Sequence, residues 1–138
     1  MYDKILVAID HSAASDRALA AAKDLAALSK GEVWVLHLQE REVIARMGDV
    51  PVESGSEAGA TVEDAVKLLV DAGLRAHGEV RETLFGHAAR EIVADAKLHD
   101  VGVIVMGSRG RSELAGLVLG STAHKVIHLT ERPVLVVR

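Results

Sequence analysis

The stretch GSRGRSELAGLVLGST, from Gly107 to Thr122, places three glycines and a pair of hydroxyls between an apolar run and a helical pattern. At Gly107, Gly110 and Gly120 the backbone can bend and approach a ligand closely. The free N–H groups at the start of the following helix favour an anion. The stretch therefore predicts a phosphate-binding segment, with Ser121 and Thr122 as hydroxyl contacts. The alternative is that the glycines form tight turns and that Ser121 caps a helix.

The composition places limits on the fold and on the partners. A chain of 138 residues fits one domain, residues 1–138, with a core of its own. Only 2% of the residues are aromatic although 49% are hydrophobic, so the core is built from aliphatic side chains and platforms for base stacking are absent. A net charge of −4 also argues against a nucleic-acid partner.

The sequence also bears on the compartment. There is no cysteine, which excludes disulfides and thiolate metal sites. No apolar run approaches the roughly 20 residues needed to span a bilayer, and the first residues, MYDKILVAID, are typical of a strand. We therefore expect a cytoplasmic protein without a membrane partner.

Five apolar or extended runs alternate with helical patterns. The predicted strands are Ile5–Ile9, Val33–Leu38, Ala76–Leu84, Val101–Met106 and Pro133–Val137. The predicted helices lie between Ser12 and Gly31, between Thr61 and Gly73, after Gly86, and over Ser121–Leu129. The region Gln39–Ala60 shows no periodicity and predicts a long mobile loop, either a lid over a ligand or a tolerated insertion.

This alternation predicts an α/β fold, a doubly wound sheet of five parallel strands with four helices. The polar third strand belongs at an edge and the very apolar first and fourth strands belong in the middle, which gives the order 3-2-1-4-5. The chain then reverses its winding between strands 1 and 4. Ligands of open α/β sheets bind beyond the carboxyl ends of the strands at such a reversal, where Asp10 and Gly107 lie.

The residues at this place suggest chemical roles. Asp10 can accept hydrogen bonds from a ribose hydroxyl or an adenine amine, and Arg109 can add positive charge beside phosphates. Leu38 and Met106 would line an apolar slot for a base. Each has a plain structural alternative, since Asp10 can be a turn residue and the two apolar side chains can be ordinary core.

Other motifs are absent or incomplete. The sequence has no GxxxxGK[ST] and no GxGxxG after its first strand, and it has neither GxSxG nor HExxH. His124 and His128 are spaced by one helical turn, but two histidines without a third ligand do not make a metal site. We therefore predict no metal site in the protein and no catalytic residue, and we expect His37 to be a hydrogen-bonded core residue.

With these residues in place, the chain resembles the universal stress proteins over essentially its full length. The resemblance depends on KILVAIDHS with Asp10, on VWVLHL, on DVGVIVMGSRGR, on the closing RPVLVV, and on the pattern G-x2-G-x9-G-[ST] from Gly107. It implies a Rossmann-like fold of the adenine nucleotide α-hydrolase-like type and membership of the ATP-binding subgroup.

The resemblance also implies a ligand and a partner. The ligand would be ATP or another adenine nucleotide, with Mg²⁺ or Mn²⁺ carried by its phosphates. The implied nucleotide-binding residues are Asp10, Leu38, Met106, Gly107, Arg109, Gly110, Gly120, Ser121 and Thr122. Members of this family commonly form homodimers through the last strand, and Val134–Val137 is an apolar edge strand that a partner's strand would cover.

Three hypotheses for the function follow. The first is a regulatory module in the stress response that holds a nucleotide and is recognised by a protein partner. The second is a slow Mg²⁺-dependent ATPase or autokinase, although no residue stands out as a catalytic base. The third is a dimeric structural or interaction module with a vestigial nucleotide site.

Overall fold

The computed structural model describes residues 1–10, 12–44, 48–51, 55–109 and 119–138. Its strands are β1 (Lys4–Ile9), β2 (Glu32–Ile44), β3 (Gly48–Pro51), β4 (Arg75–Leu84), β5 (Val103–Gly107) and β6 (Val134–Val137). Its helices are α1 (Ala13–Ser29), α2 (Gly55–Asp71), α3 (Ala88–Leu98) and α4 (Ser121–Leu129). The predicted alternation of strands and helices is therefore present, with one additional strand.

The five parallel strands form one sheet in the order β4-β2-β1-β5-β6. This is the predicted order 3-2-1-4-5 once the short β3 is set aside. The strand pair β1 and β5 lies at the centre, and the polar β4 pairs only with β2 among the described strands. The winding reverses between β1 and β5, so the fold class and the position of the reversal are confirmed.

Alternate residues of the central strands point to opposite faces of the sheet, as the pleat requires. Odd-numbered residues such as Ile5, Val7 and Val105 pack in one core with the alanines of α1 and with Leu69 of α2. Even-numbered residues form a second core with α3 and α4, which contains Leu6, Leu36, Ile104, Met106, Ala89, Ile92 and Val126. Each central strand is therefore buried on both faces, which explains its unbroken apolar sequence.

The prediction of a long loop over Gln39–Ala60 is wrong. Strand β2 continues to Ile44, pairs with β4 in parallel as far as Arg41, and then pairs antiparallel with β3. Because Arg41 is paired with Leu84 on one side and with Pro51 on the other, β3 lies on the side of β2 that faces β1. Helix α2 starts at Gly55, so Thr61 lies inside the helix and does not cap it.

Two glycines in this half of the fold have different surroundings. On Gly78 of β4 an added Cβ would come within 2.4 Å of Val62 Cγ1 and 2.9 Å of Val66 Cγ2, both on α2. An added Cβ on Gly59, inside α2, meets nothing within 4 Å. The glycine in the strand therefore allows α2 to pack closely on the sheet.

Within the described residues, no helix combines the length and the apolar character that crossing a membrane requires.

We predict that Gly78→Val lowers the free energy of unfolding by about 1–3 kcal/mol, because the new side chain must displace α2. The matched control Gly59→Ala should raise it by about 0.5–1 kcal/mol, because alanine restricts the unfolded chain in an open helical position. Urea denaturation followed by circular dichroism measures both. Equal stability of Gly78→Val and the wild type would contradict the close packing of α2 on β4.

Candidate functional site

An open cleft lies beyond the carboxyl ends of β1 and β5 and beside the middle of β2, where the winding of the sheet reverses. It encloses about 600 Å³ of space, part of it open to solvent. The even-numbered face of the sheet forms its floor, and α3 and α4 form one wall. Its lining residues are Ala8, Ile9, Asp10, Ser12, Ser15, Leu36, Leu38, Glu40, Ala88, Ile92, Met106, Gly107, Ser108, Arg109, Gly120, Thr122 and Ala123.

Asp10 is held by the first turn of α1. Its Oδ1 accepts a hydrogen bond of 2.7 Å from the N–H of Ser12, and its own N–H donates one of 2.7 Å to the hydroxyl of Ser15. Ser12 is the predicted N-cap, since its hydroxyl accepts a bond from the N–H of Ser15 at 3.0 Å. One carboxylate oxygen of Asp10 is thereby fixed in position at the edge of the cleft.

The peptide of Ser108 ties together the two ends of the glycine-rich segment. The N–H of Ser108 donates to Val137 O at 2.7 Å, and its carbonyl accepts from the N–H of Gly120 at 2.5 Å. Gly120 is in turn the N-cap of α4 and makes no side-chain cap bond. The segment therefore leaves β5 and re-enters the fold at α4 through adjacent points beside the cleft.

The need for glycine at position 107 has a structural reason that the sequence did not indicate. A Cβ at this position would lie 2.9 Å from Ala14 Cβ and 3.0 Å from the Ala14 carbonyl carbon, in the first turn of α1. The close approach that requires glycine is therefore made to the protein itself. Gly107 brings α1 and the end of β5 together, and Asp10 and Gly107 line the same cleft.

The floor of the cleft is apolar and its rim is polar. Leu36 and Met106 are buried, and Leu38 is half-buried at the outer end of β2. Ala88 and Ile92 of α3 continue this apolar surface. At the other side, Ser12, Ser108 and Thr122 bring hydroxyls to the cleft together with the exposed Arg109. The arrangement can accommodate a flat apolar ring at one end and an anionic, hydrogen-bonding group at the other.

Most of the predicted site residues come together here. Asp10, Leu38, Met106, Gly107, Arg109, Gly120 and Thr122 all line the cleft. Ser121 is exposed and is not among the lining residues, although it is the first residue of α4. Gly110 lies outside the described residues, as do Arg111 and Ser112. The roles assigned to these residues stay predictions.

Glu40 is a residue of the cleft that the sequence did not indicate; it lies two residues beyond Leu38 and shares its face of β2. Desolvation by burial raises the pKa of the Glu40 carboxyl, the Gly86 backbone hydrogen bond lowers it, and the negative charge of Asp10 raises it further, so the net direction is upward. Alternation along β2 brings Leu36, Leu38 and Glu40 to the cleft. The sequence does not make this alternation visible, because the region from Gln39 onward shows no periodicity.

His37 is the hydrogen-bonded core residue that the sequence predicts. It is 2% exposed, and its Nδ1 lies 2.8 Å from the carbonyl oxygen of Ile9, so it joins the end of β1 to the middle of β2 inside the core. His124 and His128 are exposed, and their rings meet edge to face with centroids 4.6 Å apart. Neither histidine of that pair lines the cleft.

The chain is similar to known proteins over its whole length. The model of the universal stress protein family matches residues 1–138. The chain belongs to the universal stress protein family. Universal stress protein YxiE of Bacillus subtilis is 35% identical, with all of both chains aligned. Universal stress protein MJ0577 of Methanocaldococcus jannaschii is 30% identical, over all of this chain and 96% of its own.

Solved structures of the family share the architecture. The structure of MJ0577 superposes with a TM-score of 0.82 at 30% identity, covering 99% of this chain and 96% of that one. The universal stress protein of Archaeoglobus fulgidus, solved in complex with dAMP, superposes with a TM-score of 0.74 at 26% identity, covering 99% and 98%. The resemblance inferred from the sequence motifs is thus confirmed at the level of family and fold.

We predict that Glu40→Gln stabilises the free protein at neutral pH, because it removes a desolvated negative charge near Asp10. Solvent screening limits the gain to about 0.5 kcal/mol. A carboxyl with a raised pKa destabilises the fold when ionised, so the gain should vanish as the pH falls below its pKa. Thermal unfolding at several pH values measures this.

The matched control is Glu63→Gln, an exposed glutamate on α2. This change should leave stability nearly unaltered across the same pH range. If Glu40→Gln and Glu63→Gln behave alike, the charge of Glu40 is not strained in the cleft.

Proposed function

We propose that this protein, as one domain over residues 1–138, is a regulatory module that holds an adenine nucleotide, in the first place ATP, in the cleft beside Asp10. The observation that carries the proposal is the convergence of Asp10, Gly120, Thr122 and Arg109 on a cleft with an apolar floor. The location of this cleft at the reversal of a parallel sheet supports it. The dAMP complex of the Archaeoglobus fulgidus relative supports the adenine class of ligand.

The chemical division of the cleft supports the orientation of the nucleotide. Leu38 and Met106 would contact the base, and Asp10 would accept a hydrogen bond from a ribose hydroxyl. Gly110, Gly120, Ser121 and Thr122 would meet the phosphates, which carry Mg²⁺ or Mn²⁺ with them. In this orientation the negative phosphates lie away from Glu40 and near Arg109, which favours it electrostatically.

Holding a nucleotide serves regulation when binding changes a surface that a partner recognises. The hydrogen bonds of Ser108 link the end of the glycine-rich segment both to α4 and to β6. A phosphate that orders this segment would therefore act next to the last strand. We propose a cytoplasmic role in the stress response, with a protein partner that distinguishes the nucleotide-bound from the free form.

We predict that nucleotide-stripped protein binds ATP saturably in calorimetric titration, with ADP, AMP and cyclic AMP as comparison ligands. Gly120→Val should weaken ATP binding by at least about tenfold, which corresponds to 1.4 kcal/mol, because a branched side chain would enter the phosphate region. The control Gly59→Ala, at a position that does not line the cleft, should bind like the wild type. Absence of ATP binding by the wild type, or full binding by Gly120→Val, would refute the assignment.

The same preparation tests the alternative of a slow Mg²⁺-dependent ATPase or autokinase. Phosphate release is followed with Mg²⁺ present. Turnover faster than about one per second would make the protein an enzyme. Binding with negligible release fits the regulatory module.

We also propose a symmetric homodimer through β6. In the described chain β6 pairs only with β5, and Leu135 is 42% exposed. The Ile104 N–H donates to Pro133 O, and the Ser108 N–H donates to Val137 O. Backbone groups alternate in direction along a strand, so those of Val136 point away from β5. A second copy of β6 could pair with this free edge.

We predict that the wild type is a dimer at micromolar concentration in size-exclusion chromatography with light scattering. Val136→Pro should shift it to monomer, because proline removes an outward-facing N–H and leaves the bonds to β5 in place. Val136→Ala keeps that N–H and should stay dimeric. A wild-type monomer, or a dimeric proline variant with native circular dichroism, would exclude this interface.

A further inference from the structure

A second polar cluster lies outside the nucleotide cleft, between the edge strand β4 and helix α3. Strand β4 supplies Glu79 and Arg81. Helix α3 supplies Asp95, and the C-cap of α3 supplies His99 one helical turn later. Glu79 is paired with Leu36 and Arg81 with Leu38 in the sheet. We call this group the β4–α3 cluster. None of its members lines the cleft.

Asp95 is the unusual member of the cluster. It is fully buried, and neither of its carboxylate oxygens has a hydrogen-bond partner. Arg81 Nη2 lies 2.9 Å from Oδ1, which makes an ion pair but not an aligned hydrogen bond. His99 Nε2 is also buried without a partner. Buried polar atoms of native proteins nearly always have partners, so this pair needs an explanation.

The distances within the cluster suit coordination of one ion. His99 Nε2 lies 3.5 Å from Glu79 Oε2 and 3.6 Å from Asp95 Oδ1. The three ligand atoms are all within 4.8 Å of one another. Ligands at about 2.0–2.2 Å from a tetrahedral zinc ion are separated by about 3.4 Å, which the two distances to His99 Nε2 already match. Within the residues that the structure describes, this is the one group of three such side chains.

The charges of the cluster also leave room for a divalent cation. Arg81 is shared among three carboxylates, with Nε 2.6 Å from Glu79 Oε1 and Nη1 3.9 Å from Glu91 Oε2, besides the contact with Asp95. Glu79, Asp95 and Glu91 together with Arg81 carry two negative charges in excess when His99 is neutral. Arg81 approaches Glu79 at Oε1, which leaves Oε2 for an ion, whereas an ion at Asp95 would share Oδ1 with Arg81. A charge as deeply buried as that of Asp95 is stable only when compensated.

We propose that Glu79, Asp95 and His99 form a binding site for a divalent transition-metal ion, with Zn²⁺ as the best match. One imidazole and two carboxylates are ligands that zinc accepts. Side-chain exposures of 31% for Glu79 and 24% for His99 leave the outer side open to a water as fourth ligand. The sequence did not indicate this group, since Glu79 and His99 are 20 residues apart and are brought together only by the fold.

The fold provides a reporter for this site. Trp34 is the single tryptophan of the chain, and its ring stacks on that of His99 with centroids 4.9 Å apart. Zinc bound at His99 Nε2 would draw electron density from the imidazole and change the emission of Trp34. His77 also contacts Trp34, at 4.7 Å, and lies 3.2 Å from Glu32 Oε2, so it must be controlled for.

The test uses untagged full-length protein, stripped with a chelator and titrated with ZnCl₂ in the absence of nucleotide. We predict saturable 1:1 binding by calorimetry with a parallel change in Trp34 fluorescence. His99→Gln, at a partly exposed position, should weaken binding by at least about 100-fold, more than the loss of an outer-shell partner would cause. Asp95→Asn is a second variant, since it keeps the size of the side chain.

Two control variants make the result specific to the β4–α3 cluster. His77→Gln and the double variant His124→Gln/His128→Gln should both bind zinc like the wild type. The proposal is overturned if the wild type shows no saturable binding up to 100 µM zinc, a limit on the order of the weaker biological metal sites. It is equally overturned if His99→Gln retains binding, or if either control loses it. Since no nucleotide is used, these outcomes are independent of the assignment of the cleft.

Discussion

The structure depends on the burial of β1 and β5 on both faces. Each strand must place every side chain against a helix layer, so α1 and α2 cover one face and α3 and α4 cover the other. Two layers on one sheet require the chain to wind first in one direction and then in the other. The reversal leaves a gap at the carboxyl ends of the two central strands, and the cleft occupies that gap.

The local sequence was sufficient to predict those strands whose position is determined by burial. The runs ILVAI and VGVIVM predicted the central strands because strands covered on both faces have no polar alternation. The outer part of β2 and the short β3 were missed. Their residues are held by backbone pairing with Arg75–Leu84 and with each other, and the identity of a pairing partner is not encoded in local composition. Helix α2 was predicted too short for a related reason, since GSEAGA lacks an apolar stripe.

The candidate site was predictable to the extent that topology determines it. The strand order placed Asp10 and the end of β5 where the winding of the sheet reverses. The alternation of side chains along each strand placed Leu38 and Met106 on the same face of the sheet. Glu40 was not predicted because the region from Gln39 onward shows no periodicity. Ser15 was not predicted because its buried hydroxyl contacts the backbone N–H of Asp10, and no motif marks such a contact. Gly107 also has a close contact with Ala14 that the sequence did not indicate. The β4–α3 cluster joins residues distant in sequence that share no motif.

The peptide of Ser108 has a consequence for how such a domain can diversify. Its bonds to Val137 and Gly120 hold the two ends of residues 109–119 beside each other, independently of what lies between them. Closing a loop whose ends are already fixed becomes only slightly harder as it lengthens, by about 0.6 kcal/mol for each doubling. Insertions, deletions and exchanges in this segment therefore leave the sheet almost unstrained. The strand order and the packing of the helices can therefore stay unchanged while this segment varies.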